Sequence, residues 1–189
     1  AGTVFAGQPS RDATFRAFEN ARRQGLPVIF DIDYRPYSWP SAEVASEVLS
    51  RAGEESDMIV GNDEEFGFMA GGIDKGLDKA RELASKGNRL IIYKMGEEGA
   101  ITLYNNEEIR TGIFPTQAVK PNGAGDSFMA GLLSSLASGY NLENSVIRGS
   151  ACASIVVSLP GCAPAMPDED QLNEYIINNP IKDVELKCI

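Results

Sequence analysis

Apolar residues recur along this chain in two modes that alternate. Short unbroken runs, Val28-Ile29-Phe30-Asp31-Ile32, Asp57-Met58-Ile59-Val60 and Leu90-Ile91-Ile92-Tyr93, read as strands buried on both faces. Between them the apolar positions fall at helical spacing. Pro9-Ser10 introduces a helix with Phe15, Phe18 and Ala21 on one side and Arg16, Arg22 and Arg23 on the other, ending at Gly25. Ser41 caps a second helix carrying Val44, Val48 and Leu49. A third begins near Asp63, and a fourth near Asp74, with Leu77, Ala80, Leu83 and Ala84 before Lys86-Gly87 closes it.

Further along, Ala100 to Tyr104 and Glu107 to Phe114 flank Asn105-Asn106, a hairpin turn. Gly123-Ala124-Gly125-Asp126 opens a helix with Phe128, Leu132, Leu133 and Leu136. A long helix runs from about Leu142 to Ser158, and Pro167-Asp168 starts a last amphipathic one with Leu172, Tyr175 and Ile176. The opening Gly2 to Gly7 reads like the middle of a strand and its exit loop. Alternating strands and helices argue for an α/β protein, its parallel sheet covered by helices on both sides. Without repeats, low-complexity tracts or long linkers, residues 1–189 are expected to form a single domain.

Composition narrows the chemistry. With 189 residues, 43% hydrophobic and 23% charged, the chain fits a globular protein with a core. Its formal net charge of -10 repels phosphate backbones and anionic lipid, so nucleic acid and membrane are not expected partners. No run approaches the roughly 18 apolar residues of a membrane span. There are 0 histidines, which excludes a Ser–His–Asp triad, a Cys–His dyad and every His-ligated metal site within this chain. Acid–base work then falls to carboxylates, Lys, Tyr or Cys. Cys152, Cys162 and Cys188 form no C-x-x-C pair, which fits reduced thiols and a cytoplasmic location.

Four motifs fall just after a predicted strand or at a helix start, where open α/β sheets bind ligands. Gly123-Ala124-Gly125-Asp126 places glycines at a helix N-terminus, where backbone N–H groups and the helix dipole favour a phosphate. Asp126 beside it can take a proton from a hydroxyl, although a tight turn with a first-turn carboxylate explains the same residues. Asn62-Asp63-Glu64-Glu65 offers oxygen ligands for Mg²⁺, and equally an N-capped helix. Lys94-Met95-Gly96-Glu97-Glu98-Gly99 has the glycines of a phosphate-side loop, or of a turn into the hairpin. Asp31-Ile32-Asp33-Tyr34-Arg35-Pro36-Tyr37-Ser38-Trp39 gathers strand-end carboxylates, an arginine able to grip a carboxylate or phosphate, and a tryptophan. A surface ion pair beside a packed Trp is the plainer reading. The P-loop and G-x-S-x-G patterns are absent, and the dinucleotide fingerprint lacks its third glycine, which leaves a dinucleotide oxidoreductase the weaker enzyme class.

In this order, D-x-D-x-R-x-x-x-W, N-x-x-E, a strand-end G-x-x-G, G-A-G-D and an Ala-rich helix ending in Pro160-Gly161-Cys162 resemble the ribokinase-like (PfkB) family of carbohydrate kinases. The match runs over essentially the whole chain and looks like the C-terminal portion of a member. The resemblance implies a three-layer α/β/α fold with a mostly parallel sheet, lacking here the upstream part and its β lid. The Asp31–Trp39 segment and the stretch Phe5 to Arg11 are most similar to members acting on 5-dehydro-2-deoxygluconate. Members acting on 2-keto-3-deoxygluconate or fructose are similar too.

The roles the resemblance implies are these. Asp126 is the general base, and Gly123, Ala124 and Gly125 form the anion hole for the transferred phosphoryl group. Asn62 and Glu65 organise Mg²⁺, through water, and the ATP phosphates. Lys94, Gly96, Glu97, Glu98 and Gly99 line the nucleotide site, and Ser150 falls at the adenine. Asp31, Asp33 and Arg35 face the sugar or sugar acid, with Arg35 on its carboxylate or else on a phosphate. The lid often mediates dimers in this family, so a homo-oligomer is compatible with the resemblance. Two departures stand out. Lys120 occupies the place of an Asp that often helps bind a monovalent cation, and little K⁺ dependence is expected from a fixed ammonium there. The upstream Gly-Gly motif and much of the sugar pocket are not in this sequence, so a non-catalytic nucleotide- or sugar-binding α/β module is the rival reading.

Overall fold

The computed structural model describes residues 2–87, 89–120, 122–181 and 184–188. Ala1 and Pro121, and the side chain of Cys188, which figured in the reading of the sequence, lie outside that description. By its internal contacts the chain divides into two compact units. One comprises Ala1–Gly96 with Ala100–Glu108 and Leu186–Ile189, the other Glu97–Gly99 with Ile109–Glu185.

The described elements alternate as expected. Helix α1 spans Ser10–Arg23, β1 Ile29–Asp31, α2 Ala42–Glu54, β2 Met58–Asn62, α3 Asp63–Ala70, α4 Gly76–Ser85 and β3 Leu90–Lys94. Then come β4 (Ala100–Tyr104), β5 (Glu107–Thr111), α5 (Ala124–Ala137), α6 (Leu142–Ser158), α7 (Glu169–Asn178) and β6 (Val184–Cys188). The six strands lie in the sheet in chain order. β1 with β2 and β2 with β3 run parallel, and β4 runs antiparallel to β3. The result is an α/β fold with a mixed sheet. No helix among the described residues is long and apolar enough to cross a membrane.

The first unit's core forms where both faces of β2 and β3 are buried. Ile59, Val60, Ile91 and Ile92 are wholly inaccessible, and α2, α3 and α4 contribute Ala45, Leu49, Phe66, Met69, Ala80 and Leu83. Those helix residues follow the spacing that marked the helices in the sequence. Asn105 and Asn106 both have positive φ, at 52° and 62°, which is the conformation a two-residue hairpin turn between β4 and β5 demands.

One expectation is overturned. Gly2–Phe5 is a 3-10 helix, not part of a strand. The carbonyls a strand would offer to a neighbour are taken by side chains instead. Arg11 donates to the Phe5 and Ala6 carbonyls, and the Ser10 hydroxyl reaches those of Val4 and Gly7. Phe5 turns inward, with ring centroids 4.9 Å from Phe15, 5.7 Å from Phe18 and 5.8 Å from Phe30. Aromatic burial at these edge-on angles outweighs the strand propensity of the Thr3-Val4-Phe5 run. The second hairpin strand also ends earlier than its apolar pattern, at Thr111. Phe114 packs with Ala151, Cys152 and Leu172 in the second unit, and its carbonyl accepts the Ser154 hydroxyl.

That second unit is organised by α5 against α6. Glycines let the two backbones approach. A Cβ on Gly131 would lie 2.7 Å from Cys152 Sγ and 2.9 Å from the Arg148 carbonyl oxygen. Arg148 is buried beside this contact and donates to Ser135 on α5 and Asn173 on α7, so one guanidinium ties three helices. Overpacking of this kind costs about 1–3 kcal/mol. Gly131→Ala is therefore expected to lower the thermal midpoint by several degrees, whereas Gly7→Ala, with nothing within 4 Å of its Cβ, leaves it unchanged. Thermal unfolding followed by circular dichroism decides this, and equal midpoints for the two variants would contradict the packing account.

Candidate active site

The residues singled out in the sequence divide between the two units. In the first unit they lie at the carboxyl ends of the three parallel strands. Asp31 ends β1, Asn62 ends β2, and Lys94 ends β3 directly opposite Asn62 in the ladder. Asn62 is also the N-cap of α3. Its side-chain oxygen accepts the Glu65 N–H at 2.8 Å, and the Glu65 carboxylate accepts the Asn62 N–H at 2.7 Å, a closed capping box.

Glu65 does more than cap. It is 8% exposed, and its other carboxylate oxygen accepts the backbone N–H of Tyr34 at 3.2 Å. One buried side chain thus joins the exits of β1 and β2. Burial pushes its pKa above the ordinary carboxylate value, and the negative charge of Asp31 adds to that. The Asn62 and Tyr34 N–H groups and the Lys94 ammonium pull the other way. Desolvation wins because the environment is nearly dry.

The loop after β1 carries the remaining first-unit candidates. Asp33 sits at φ 37°, in the left-handed region that Asp tolerates better than most residues. Its carboxylate pairs with Arg35 at 2.6 Å, and Arg35 also donates to the Tyr34 carbonyl. The Arg35 side chain is about half exposed (49%), so its guanidinium remains open to a ligand. Tyr34, by contrast, is buried against Phe68 of α3, with ring centroids 4.2 Å apart, and near Trp39. Beyond β3, Gly96 has φ 57° and begins a 3-10 turn, Gly96–Glu98, whose Glu97 and Glu98 are exposed.

In the second unit, Gly99 has φ 88°, and a Cβ there would sit 2.0 Å from the Thr111 carbonyl oxygen, so only glycine fits. Gly123 is the N-cap of α5 at φ 89°, with Gly125 and Asp126 exposed behind it. It is packed against Cys162, whose Cβ and Sγ would lie 3.1 and 3.2 Å from any added methyl. The Cys162 thiol donates to the Asn122 carbonyl at 3.3 Å. Ser150 is half-buried on α6.

Five described helices, α1, α3, α4, α5 and α7, have an Asp, Glu or Gln at the third position, and they use it differently; Asp12 in α1 and Asp78 in α4 close no capping box. In α3 and α7, Glu65 and Gln171 close capping boxes. In α5 the N-cap is a glycine with no side chain to give, and no capping box closes. Ser127 folds its hydroxyl back onto the Gly123 and Ala124 carbonyls. No side chain caps the start of α5, which leaves its first-turn N–H groups without a capping partner beside the exposed Asp126.

For a divalent cation the donor set permits one mode of binding. Among the described residues no group of three or more acidic or thiol side chains forms a cage. Each Glu65 oxygen accepts one backbone N–H, and a carboxylate offers about four lone-pair sites in all. What remains suits a hydrated ion bound through its waters, the habit of Mg²⁺. Tyr34 and Cys162 stood inside motifs of the sequence with no role given to them, and Phe68 was not singled out. The three-residue step from Glu65 to Phe68 was the one available signal.

Comparison with known proteins places these observations. Residues 1–169 match the model of the pfkB family of carbohydrate kinases. The chain is 39% identical over 179 residues to the 5-dehydro-2-deoxygluconokinase of Geobacillus thermodenitrificans, covering 93% of this chain and 53% of that protein. It thus spans about half the length of the curated relatives it matches. Its fold is shared with an aminoimidazole riboside kinase from Salmonella enterica, crystallised with aminoimidazole riboside and an ATP analog (TM-score 0.81, 24% identity, 92% of this chain and 60% of that one). It is shared too with a fructokinase from Vibrio cholerae bound to fructose, ADP and calcium (TM-score 0.82, 24% identity, 92% and 58%).

Burial makes Glu65 hold its proton to a higher pH in the folded protein than in the unfolded chain. Its contribution to stability is full below the ordinary carboxylate pKa and is lost as pH rises through the elevated one. The stability of the wild-type protein relative to Glu65→Gln is accordingly expected to fall from about pH 4 upward. Urea unfolding of both proteins across that range, without divalent metal, measures the difference, and a flat difference would exclude the effect.

Proposed function

The chain belongs to the pfkB family of carbohydrate kinases, and from that premise we propose that it carries the nucleotide-side machinery of an ATP-dependent kinase for a sugar acid of the 5-dehydro-2-deoxygluconate type. The observation that carries this reading is the start of α5. A glycine N-cap leaves the first-turn N–H groups open, and Asp126, exposed in that turn, closes no capping box. The named relatives that share about half their length with the chain favour the same acceptor.

In this reading Asp126 accepts the proton of the acceptor's primary hydroxyl as that oxygen attacks the γ-phosphorus of ATP in line. The bond to the β-phosphate oxygen breaks, ADP leaves, and the N–H groups of the Gly123–Asp126 turn stabilise the charge on the transferred phosphoryl oxygens. Asn62 and Glu65 would hold hydrated Mg²⁺, which would supply charge neutralisation at the phosphates. The strand-end loop from Lys94 through Gly96, Glu97 and Glu98 to Gly99 lines the nucleotide, and Ser150 lies at the adenine. Arg35 forks onto the acceptor's carboxylate. Asp31 and Asp33 face its hydroxyls.

The test is Asp126→Asn in the protein that contains this chain, assayed with ATP, Mg²⁺ and 5-dehydro-2-deoxygluconate. Phosphoryl transfer is expected to fall by about 10²–10⁴-fold. Thermal stabilisation by Mg-ATP persists, about 2.7 kcal/mol at a hundred times Kd. Turnover near the wild-type rate would remove Asp126 from the role of base. Stabilisation by nucleotide with no transfer in the wild-type protein would favour a binding module instead.

A further inference from the structure

We propose that α3 sets the aim of Arg35, with Glu65 and Phe68 acting as positioning residues that hold the loop from Asp33 to Trp39 in its acceptor-binding conformation. The inference rests on the reading of that loop as the acceptor site. It adds two residues that touch neither the acceptor nor each other's partner atoms.

The loop has little structure of its own. Its one regular element is the 3-10 turn Pro36–Ser38, and Asp33 at its start is in the left-handed region. The polar partners of Arg35 among the described residues, Asp33 and Tyr34, belong to the same loop. Nothing in those bonds fixes the guanidinium relative to the sheet. That task falls to Tyr34, which stands between Asp33 and Arg35 and is 7% exposed. Its backbone N–H is held by Glu65, and its ring lies on Phe68 with centroids 4.2 Å apart and planes at 35°.

Glu65 and Phe68 are three residues apart on α3 and so share a face of the helix. One grips the backbone of Tyr34 and the other its ring. Two restraints on one residue fix both its position and its rotation. Arg35 follows directly in the chain and inherits that orientation. Trp39 closes the loop as a second buried anchor, and its indole N–H has no hydrogen-bond partner among the described residues. Burying a donor without a partner is unfavourable, so packing against Tyr34 and the Arg11 guanidinium over its ring, rather than a hydrogen bond, keep Trp39 in place.

Phe68 separates this role from any at the metal or the phosphates, because its side chain has no polar atom to offer either. In Phe68→Leu the apolar volume is largely kept while the flat ring contact is lost. The KM for the sugar acid is expected to rise about tenfold or more, with kcat and the KM for Mg-ATP within about twofold. Phe68→Tyr, which keeps the ring, restores the acceptor KM. An unchanged acceptor KM in Phe68→Leu, or an equal rise in both KM values, would overturn the proposal.

A second measurement does not depend on the acceptor. Trp39 is the only tryptophan in the chain, and it reports on this loop. Hydrogen exchange at the Tyr34 amide is expected to accelerate, and Trp39 emission to shift to longer wavelength, in both Phe68→Leu and Glu65→Gln. If the wild-type protein phosphorylates no sugar acid, the functional reading falls. The bracing is then decided by exchange alone. Acceleration supports it, and wild-type exchange rates in both variants would refute it.

Discussion

Where β1 and β2 run out, their backbones lose the partners the sheet had supplied. The N–H groups of Tyr34 and Asn62 both meet this problem, and the carboxylate of Glu65 answers both at 3.2 and 2.7 Å. Everything placed at that edge of the first unit depends on this bond pair. It starts α3 and fixes the exit of β1 beside Asn62, which the ladder places across from Lys94. The cost is a carboxylate taken almost wholly out of water, offset by two N–H donors and a neighbouring ammonium rather than by a full ion pair. A buried acid with so few alternatives specifies one arrangement of the strand ends, because any other leaves either a backbone donor or the charge itself unsatisfied.

The second unit follows the opposite rule at its key position. Where α3 and α7 spend their third residue on closing a cap, α5 leaves that position free of capping and puts glycine before it. Cys162 lies so close to Gly123 that a Cβ there would make it give way by a few tenths of an ångström. The positive φ is what calls for glycine, and the tight neighbour adds to it. Local stability is given up at this helix start, and its first-turn backbone donors are left without a side-chain cap.

Most of this was legible in the sequence for simple reasons. Val28 to Ile32, Met58 to Val60 and Leu90 to Tyr93 are apolar runs too short for helices, and they are the strands. Ser41 and Asp168 are the caps that their positions announced. The motif positions at strand ends were legible because parallel connections return every strand to the same edge. Two kinds of feature were not. Gly2–Phe5 looks like a strand by composition, and only the distant Arg11 and Ser10, by taking its carbonyls, make it a helical turn. The contacts of Phe68 and Cys162 were invisible because neither residue is unusual where it stands. Their importance comes from what the fold brings beside them, a tyrosine ring in one case and a glycine cap in the other.

The order of the strands has a consequence in time rather than in space. Each strand lies beside its neighbour in sequence, from β1 to β6. From β1 to β5 each step closes a connection much shorter than the chain, so the entropy lost before each new contact is modest, whereas β6 joins only after α5, α6 and α7 have been made. During synthesis from the ribosome, β1 and β2 can pair as soon as α2 between them has emerged, and β3 can add to a ladder that already exists. Up to β4 the growing chain carries its newest strand as an open edge only until the next one arrives, while β5 stays available to the wrong partner until the three helices before β6 have been synthesised.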